Sequence, residues 1–200
     1  MHVEYHYQAN FTKGSLLVPE SRIVAKLLLE DISGKDWTQI IATENVLQKR
    51  TQNTANTHAN LARSRLKTMG PKLWKLVSNG SSPVATHAVL AATIKFSPLL
   101  GDFMNLALKE EFKRFEEKLR PTLWDNYLDA CRDRDPNMPK WTEGTRAKLK
   151  QNAFRILAEA GFLTDTRSKR LNPVPIAPEV ISYLEDHKEA YVLQCIQVTR

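Results

Sequence analysis

The chain has 200 residues, 42% hydrophobic and 26% charged, a balance that supports a buried core and excludes a mainly disordered polypeptide. Its net charge of +7 is modest, and Cys131 and Cys195 form no CxxC pair and no metal-ligand spacing, which suits a reducing compartment. The opening MHVEYHYQANF lacks the basic start and apolar run of a signal peptide, so a cytoplasmic location is expected.

Helical periodicity dominates from there. Pro19 leads into SRIVAKLLLED (21–31), which stops ahead of Gly34. KDWTQIIATENVLQ (35–48) gathers Trp37, Ile40, Ile41, Val46 and Leu47 towards one side, with Asp36 available as N-cap. TQNTANTHANLARSRLKTM (51–69) begins with poor helix formers and becomes amphipathic, and PKLWKLVSNG (71–80) is a short helix between Gly70-Pro71 and Asn79-Gly80. The most apolar stretch, 83–108, is broken by His87, Lys95, Pro98 and Asp102. A spanning helix needs about 20 nearly uncharged residues, so this stretch reads as two buried helices, 83–96 and 99–119. Phe112, Phe115 and Leu119 continue the buried stripe of the second.

PTLWDNYLDACRD (121–133) starts another helix, and RDPNMPKW (134–141) is a loop and the best internal boundary. It divides an expected helical bundle, 1–135, from a C-terminal helical part, 136–200, packed on it; the two also fit one domain. TRAKLKQNAFRILAEAG is a strong helix with Thr142 or Thr145 as cap and Gly161 as its stop. Residues 162–178 carry three prolines and have room for a short hairpin at most. Two short helices close the chain. The expected class is all-α, a compact multi-helix fold, with a small winged-helix-like hairpin near 162–174.

Charge is distributed unevenly. Residues 45–101 hold 8 Lys/Arg and no Asp or Glu, and residues 140–170 hold 8 Lys/Arg against 3 acids, while the other segments are slightly acidic. Two basic blocks in an acidic background are the footprint of a protein that meets a polyanion.

Catalytic signatures are missing from the sequence. It contains no phosphate-binding glycine loop, no HExxH and no GxSxG. His2 and His6 have helical spacing but lie near the terminus, and Glu116 and Glu117 are adjacent, so they point to different helix faces. Asp133 and Asp135 sit among arginines and read as salt-bridged or solvated. No enzymatic role, cofactor or metal is expected.

Each basic block offers a nucleic-acid surface. Ala55, Ala59, Ala62, Leu66 and Met69 share one face; opposite lie Asn56, Asn60, Arg63 and Lys67, amides interleaved with cations that suit phosphates and base edges. Lys49 and Arg50 precede them. The wet face of an ordinary helix has the same spacing. Arg65 projects towards the apolar margin instead and reads as a structural hydrogen-bonding or ion-pairing group.

In the second block Leu149, Ala153, Ile156, Leu157 and Ala160 form the buried stripe, Lys148, Gln151 and Arg155 project away, and Arg146 and Lys150 flank its edge. Arg167, Lys169 and Arg170 then form a basic loop tip. Cations in the first turns of a helix are mildly repelled by its dipole. Either the helix tolerates this or an anion from another molecule sits there.

Taken together, FTKGSLLVPES (11–21), Asp36-Trp37, ENVLQKRT (44–51) leading to Arg65-Leu66, and TRAKLKQNAFRILAEAGFL (145–163) resemble the BrxA family, small proteins of bacteriophage exclusion (BREX) defence systems. The resemblance covers about residues 11 to 170. It departs at Gly14-Ser15-Leu16, where the family turn is Gly-Gly-Leu, and ends near residue 175. It implies an all-helical, non-enzymatic core component with a fold like that of the antitermination factor NusB. It also implies DNA as a partner, and a methyltransferase and an ATPase among the accompanying BREX proteins; sparse aromatic residues in both basic blocks favour double-stranded DNA over single strands. A protein–protein adaptor with basic docking faces and a NusB-like RNA binder remain open from the residues themselves. A monomer is expected.

Overall fold

The computed structural model describes residues 7–198; His2 and His6 lie outside them. Among the described residues the helices are α1 (Val18–Leu29), α2 (Gly34–Thr38, continued by a π turn, Gln39–Thr43), α3 (Gln52–Leu66), α4 (Pro71–Asn79) and α5 (Ser82–Phe96). There follow α6 (Pro98–Lys113, with a π segment at Phe103–Leu108), α7 (Leu123–Arg134), α8 (Glu143–Glu159), α9 (Pro178–Asp186) and α10 (Ala190–Ile196). The fold is all-α.

Apolar residues on every side of α5, from Val84 to Ile94, require burial all round. It is the central helix, packed by α1, α3, α4, α6, α9 and α10. Pro98 forces extended backbone on Ser97 (φ −130°, ψ 92°), and α6 leaves α5 at 110°. No helix among the described residues is alone long and apolar enough to cross a membrane; only the bent α5–α6 pair passes by length and composition. Asp102, buried at that corner, accepts hydroxyl protons from Tyr7 (2.6 Å) and Tyr191 (2.9 Å), pinning the N-terminal segment and α10 to α6. Cys131 and Cys195 are both buried free thiols.

On α5, buried His87 accepts the Ala177 N–H at Nδ1 (3.0 Å), which fixes the neutral ring with its proton on Nε2. Burial lowers its pKa. The unfolded chain therefore takes up this proton first, so stability is full above about pH 6.5 and falls as the pH drops below it. A urea midpoint that declines between about pH 7 and about pH 5, and declines less in His87→Asn, is the expected result. Equal slopes in the two proteins would remove His87 from the account.

Three local expectations are corrected. Asp36 is not the cap of α2; Ser33 precedes that helix in extended backbone and makes no side-chain cap bond. The helix expected over 35–48 stops at Thr43 because Asn45 bonds locally, its side chain holding the Lys49 N–H (2.9 Å) and C=O (2.8 Å), while Asn45 and Gln48 take positive φ. Leu47 is still buried. The helix expected over 99–119 stops at Lys113, and Phe115, expected on the buried stripe, is 92% exposed with φ +57°. Fully buried Glu111 turns the chain back there by binding Arg120 at Nε (2.9 Å) and Nη2 (2.6 Å). Leu119 is buried, but in an extended segment. Asp135 is buried, accepting the Tyr7 N–H at 3.0 Å, whereas Asp133 is exposed on α7.

Candidate nucleic-acid interface

The geometry of α8 follows from its ends and its stripe. Thr142 is the cap, accepting the Thr145 N–H at 3.2 Å. At the other end Gly161, at φ +89°, lets the Phe162 N–H reach the Leu157 carbonyl (2.9 Å) and its own N–H reach Ala158 (3.1 Å), a Schellman stop. Leu149, Ala153, Ile156, Leu157 and Ala160 are buried as their spacing requires. Asn152 and Glu159 hold the N-terminal strap against α8. The Asn152 amide donates to Phe11 O (2.7 Å) and Thr12 O (2.9 Å), and the Glu159 carboxylate accepts from Ser15 Oγ (2.9 Å) and Leu16 N (2.8 Å).

The same strap meets α3 through Arg65, only 1% exposed, whose guanidinium donates to Ser15 O (2.5 Å), Leu16 O (3.3 Å) and Gly14 O (3.4 Å). Burial pulls its pKa down to about 10 against the attraction of Glu159, so it remains charged at neutral pH. The structural reading of Arg65 holds.

The cations at the start of α8 divide into two sets. Half-buried Arg146 and Lys150 turn to α7: Arg146 lies 4.0 Å from Asp125 and 3.8 Å from Asp129, and Lys150 bonds Asp125 Oδ2 at 2.8 Å. The anions that offset the unfavourable helix end thus come from the same molecule. Lys148 and Arg155 are exposed, held only by Gln151 (3.4 Å) and by Glu159 (2.9 Å).

The hairpin after α8 is present as single antiparallel bridges. Leu163 pairs with Leu171, and Arg170 with Lys118, so the extended stretch before α7 lies beside the returning arm. Asp165 shapes the loop, its carboxylate accepting the N–H groups of Arg167 and Ser168 (both 2.7 Å) and the Ser168 hydroxyl (2.6 Å). These bonds hold it down to about pKa 2. Lys169 lies over the Phe154 ring (5.5 Å), tying the loop to α8, while Arg167 is exposed and exposed Arg170 is 3.9 Å from Glu117. The order α6, extended stretch, α7, α8 and bridged hairpin follows the outline of a winged helix, with the loop 164–170 in the place of the wing, although only isolated bridges form. A cleft of about 710 Å³, lined by Gln151, Phe154, Arg155 and Asp165 among others, separates helix from loop.

The acid-free block is less free than its sequence suggests. Lys49 binds buried Glu20 at 2.6 Å, Lys95 pairs with Glu189, and Arg65 is internal. Burial alone would raise Glu20, but the hydrogen bond and charge of Lys49 outweigh it and hold the carboxyl below its ordinary range. Arg63 stacks on Trp37, its Cζ 4.3 Å from the ring centroid. Ala55, Ala59, Ala62 and Leu66 are buried, Asn56 is half-buried, and Asn60, Lys67 and Arg50 are exposed. Trp74 Nε1 donates to Leu66 O (2.7 Å) and fixes the turn 67–70 between α3 and α4. On α4, Lys72 and Lys75 are also exposed, extending Lys67 into a group of three. Sequence reasoning passed over this pair, although it lies in the same acid-free run.

Among the described residues, no group of three or more His, Cys, Asp or Glu is placed to hold a metal ion. The BrxA family profile matches residues 5–188. The chain belongs to the BrxA family. The BREX protein BrxA of Paramagnetospirillum magneticum (strain ATCC 700264 / AMB-1) is 48% identical over 196 residues, 98% of each chain. That of Escherichia coli O9:H4 (strain HS) is 30% identical over 172 residues, covering 86% of this chain and 81% of the relative. A crystal structure of an uncharacterized protein from Magnetospirillum magneticum superposes with TM-score 0.89 at 47% identity, over 97% of this chain and 100% of the other. BrxA membership makes the chain a BREX phage-defence component. The BrxA match also runs past residue 175, where the motif resemblance ends, and takes in α9.

Proposed function

We propose that the chain is a non-enzymatic DNA-binding component of its BREX system, engaging duplex DNA mainly through phosphates with α8 and the 164–170 loop. The observation that carries this reading is the set of exposed cations, Lys148, Arg155, Arg167 and Arg170, on the outer helix and wing of a winged-helix arrangement. Arg146 and Lys150 border that surface as a rigid, ion-paired edge. Exposed Lys67, Lys72 and Lys75, at the C-terminal end of α3 and on α4, supply a second, smaller set of cations, and Arg50 lies apart at the other end of α3.

About four phosphate contacts predict a slope of roughly −3 to −4 for log affinity against log salt on duplex DNA. A salt titration by fluorescence anisotropy measures it, and a flat response, or no binding at low salt, rejects the proposal. In competition, duplex DNA is expected to displace probe better than single strands or hairpin RNA. Aromatic stacking platforms are sparse on this surface, since Phe154 is buried beneath Lys169.

A further inference from the structure

Among the described residues, the exposed large hydrophobic side chains are Leu106 (43%) and Phe115 (92%). Both lie on one stretch, in and just after α6. Leu106 sits within the π segment of that helix, a distortion that recurs at functional sites. It rims a groove of about 260 Å³ between α6 and α7, whose apolar lining is Ala107, Leu123, Tyr127 and Ala130.

The rim is basic. Arg114, Arg120 and Arg134 line it against a single carboxylate, Glu110, which is itself paired with Lys113 at 2.6 Å. Arg114 is exposed and forms no ion pair with a described residue, and it is followed directly by Phe115. Arg120 uses Nε and Nη2 on Glu111, and Arg134 lies over Tyr127 at 5.7 Å. The groove lies on a different face of α7 from Asp125 and Asp129, which turn to α8.

We propose that this groove docks an acidic segment of another protein, with a bulky apolar residue set against Leu106 and Tyr127 and carboxylates on Arg114 and Arg134, Arg120 being already engaged by Glu111. Phosphodiester backbones suit the arginines but not an apolar floor. A protein segment satisfies both. The proposal names none of the residues placed on DNA, although Arg120 lies two residues from Lys118, which bridges Arg170, so adduct formation and duplex affinity are read separately.

The test places the photo-crosslinker p-benzoylphenylalanine at Asn126, an exposed rim position, in cells carrying the whole defence operon. The expected result is a nuclease-resistant adduct that peptide mapping assigns to a segment with net negative charge and a bulky apolar residue. Leu106→Glu, and separately Arg114→Glu, should each lower its yield about tenfold or more, from lost apolar burial and from charge repulsion. Both positions are exposed, so folding is not at stake, and circular dichroism and duplex-DNA affinity should stay unchanged. No adduct, an adduct to nucleic acid, to a basic segment or to a second copy of this chain, or yields unmoved by both substitutions, would overturn the proposal.

Discussion

Arg65→Met is expected to destabilise the fold by about 3–5 kcal/mol, because it strips charged donors from the buried Ser15 and Leu16 carbonyls and the partly buried Gly14 carbonyl. The guanidinium serves Gly14, Ser15 and Leu16 at once, and these residues form the strap that Asn152 and Glu159 hold from α8. Removing it unties α3 from α8 through a shared segment. Domains of this size have total stabilities of about 5–15 kcal/mol, so the variant should be marginal at 37 °C. Arg65→Lys keeps a charge but replaces a planar fork with a single ammonium, and should recover about half of the loss. Urea denaturation followed by tryptophan fluorescence measures both. A loss below about 0.5 kcal/mol for Arg65→Met would mean that the strap is held by packing alone.

That strap also explains what the sequence could and could not reveal. Helices were legible wherever a stripe ran long and a cap or stop marked its end: Thr142, one of the two caps expected, does accept the Thr145 N–H, and Gly161 does end α8. Arg65 was legible because its position on α3 points it at the apolar margin. Phe115 was not, since 3.6-residue periodicity continues past Lys113 without a glycine or proline to mark the break, and the turn is imposed by Glu111 gripping Arg120.

The charge map failed for a related reason. Residues 45–101 carry no acid, yet Lys49 finds Glu20 on α1 and Lys95 finds Glu189 near α10. Arg146 and Lys150 find Asp125 and Asp129 across from them. Linear segregation of charge does not survive folding when partners come from elsewhere in the chain. Two residues behind the family resemblance likewise hold the strap: Arg65 from inside the fold, and Glu159 from the surface of α8.

What stays exposed after that pairing, Arg155 beside its Glu159 partner included, sets the last expectation. Lys148→Gln, Arg155→Gln and Arg167→Gln together remove three exposed charges without placing new carboxylates beside Glu159, and should lower duplex affinity about ten- to a hundredfold near 0.1 M salt. The log–log salt slope should fall by about 2 to 3, since each lost phosphate contact removes about 0.9. The matched triple Lys67→Gln, Lys72→Gln and Lys75→Gln removes the same charge from the α3–α4 patch. If long-range net charge alone drew DNA to the protein, both triples would weaken binding equally. A dominant effect from the α8 and wing triple assigns the contacts to that surface, and a dominant effect from the other moves them to α3 and α4. The native fold tolerates either change, because none of these six side chains is buried. Arg146 and Lys150 provide the internal contrast: both are half-buried and turned to Asp125 and Asp129 on α7, so replacing them should shift the salt slope by less than about 0.9 each while loosening the α7–α8 contact.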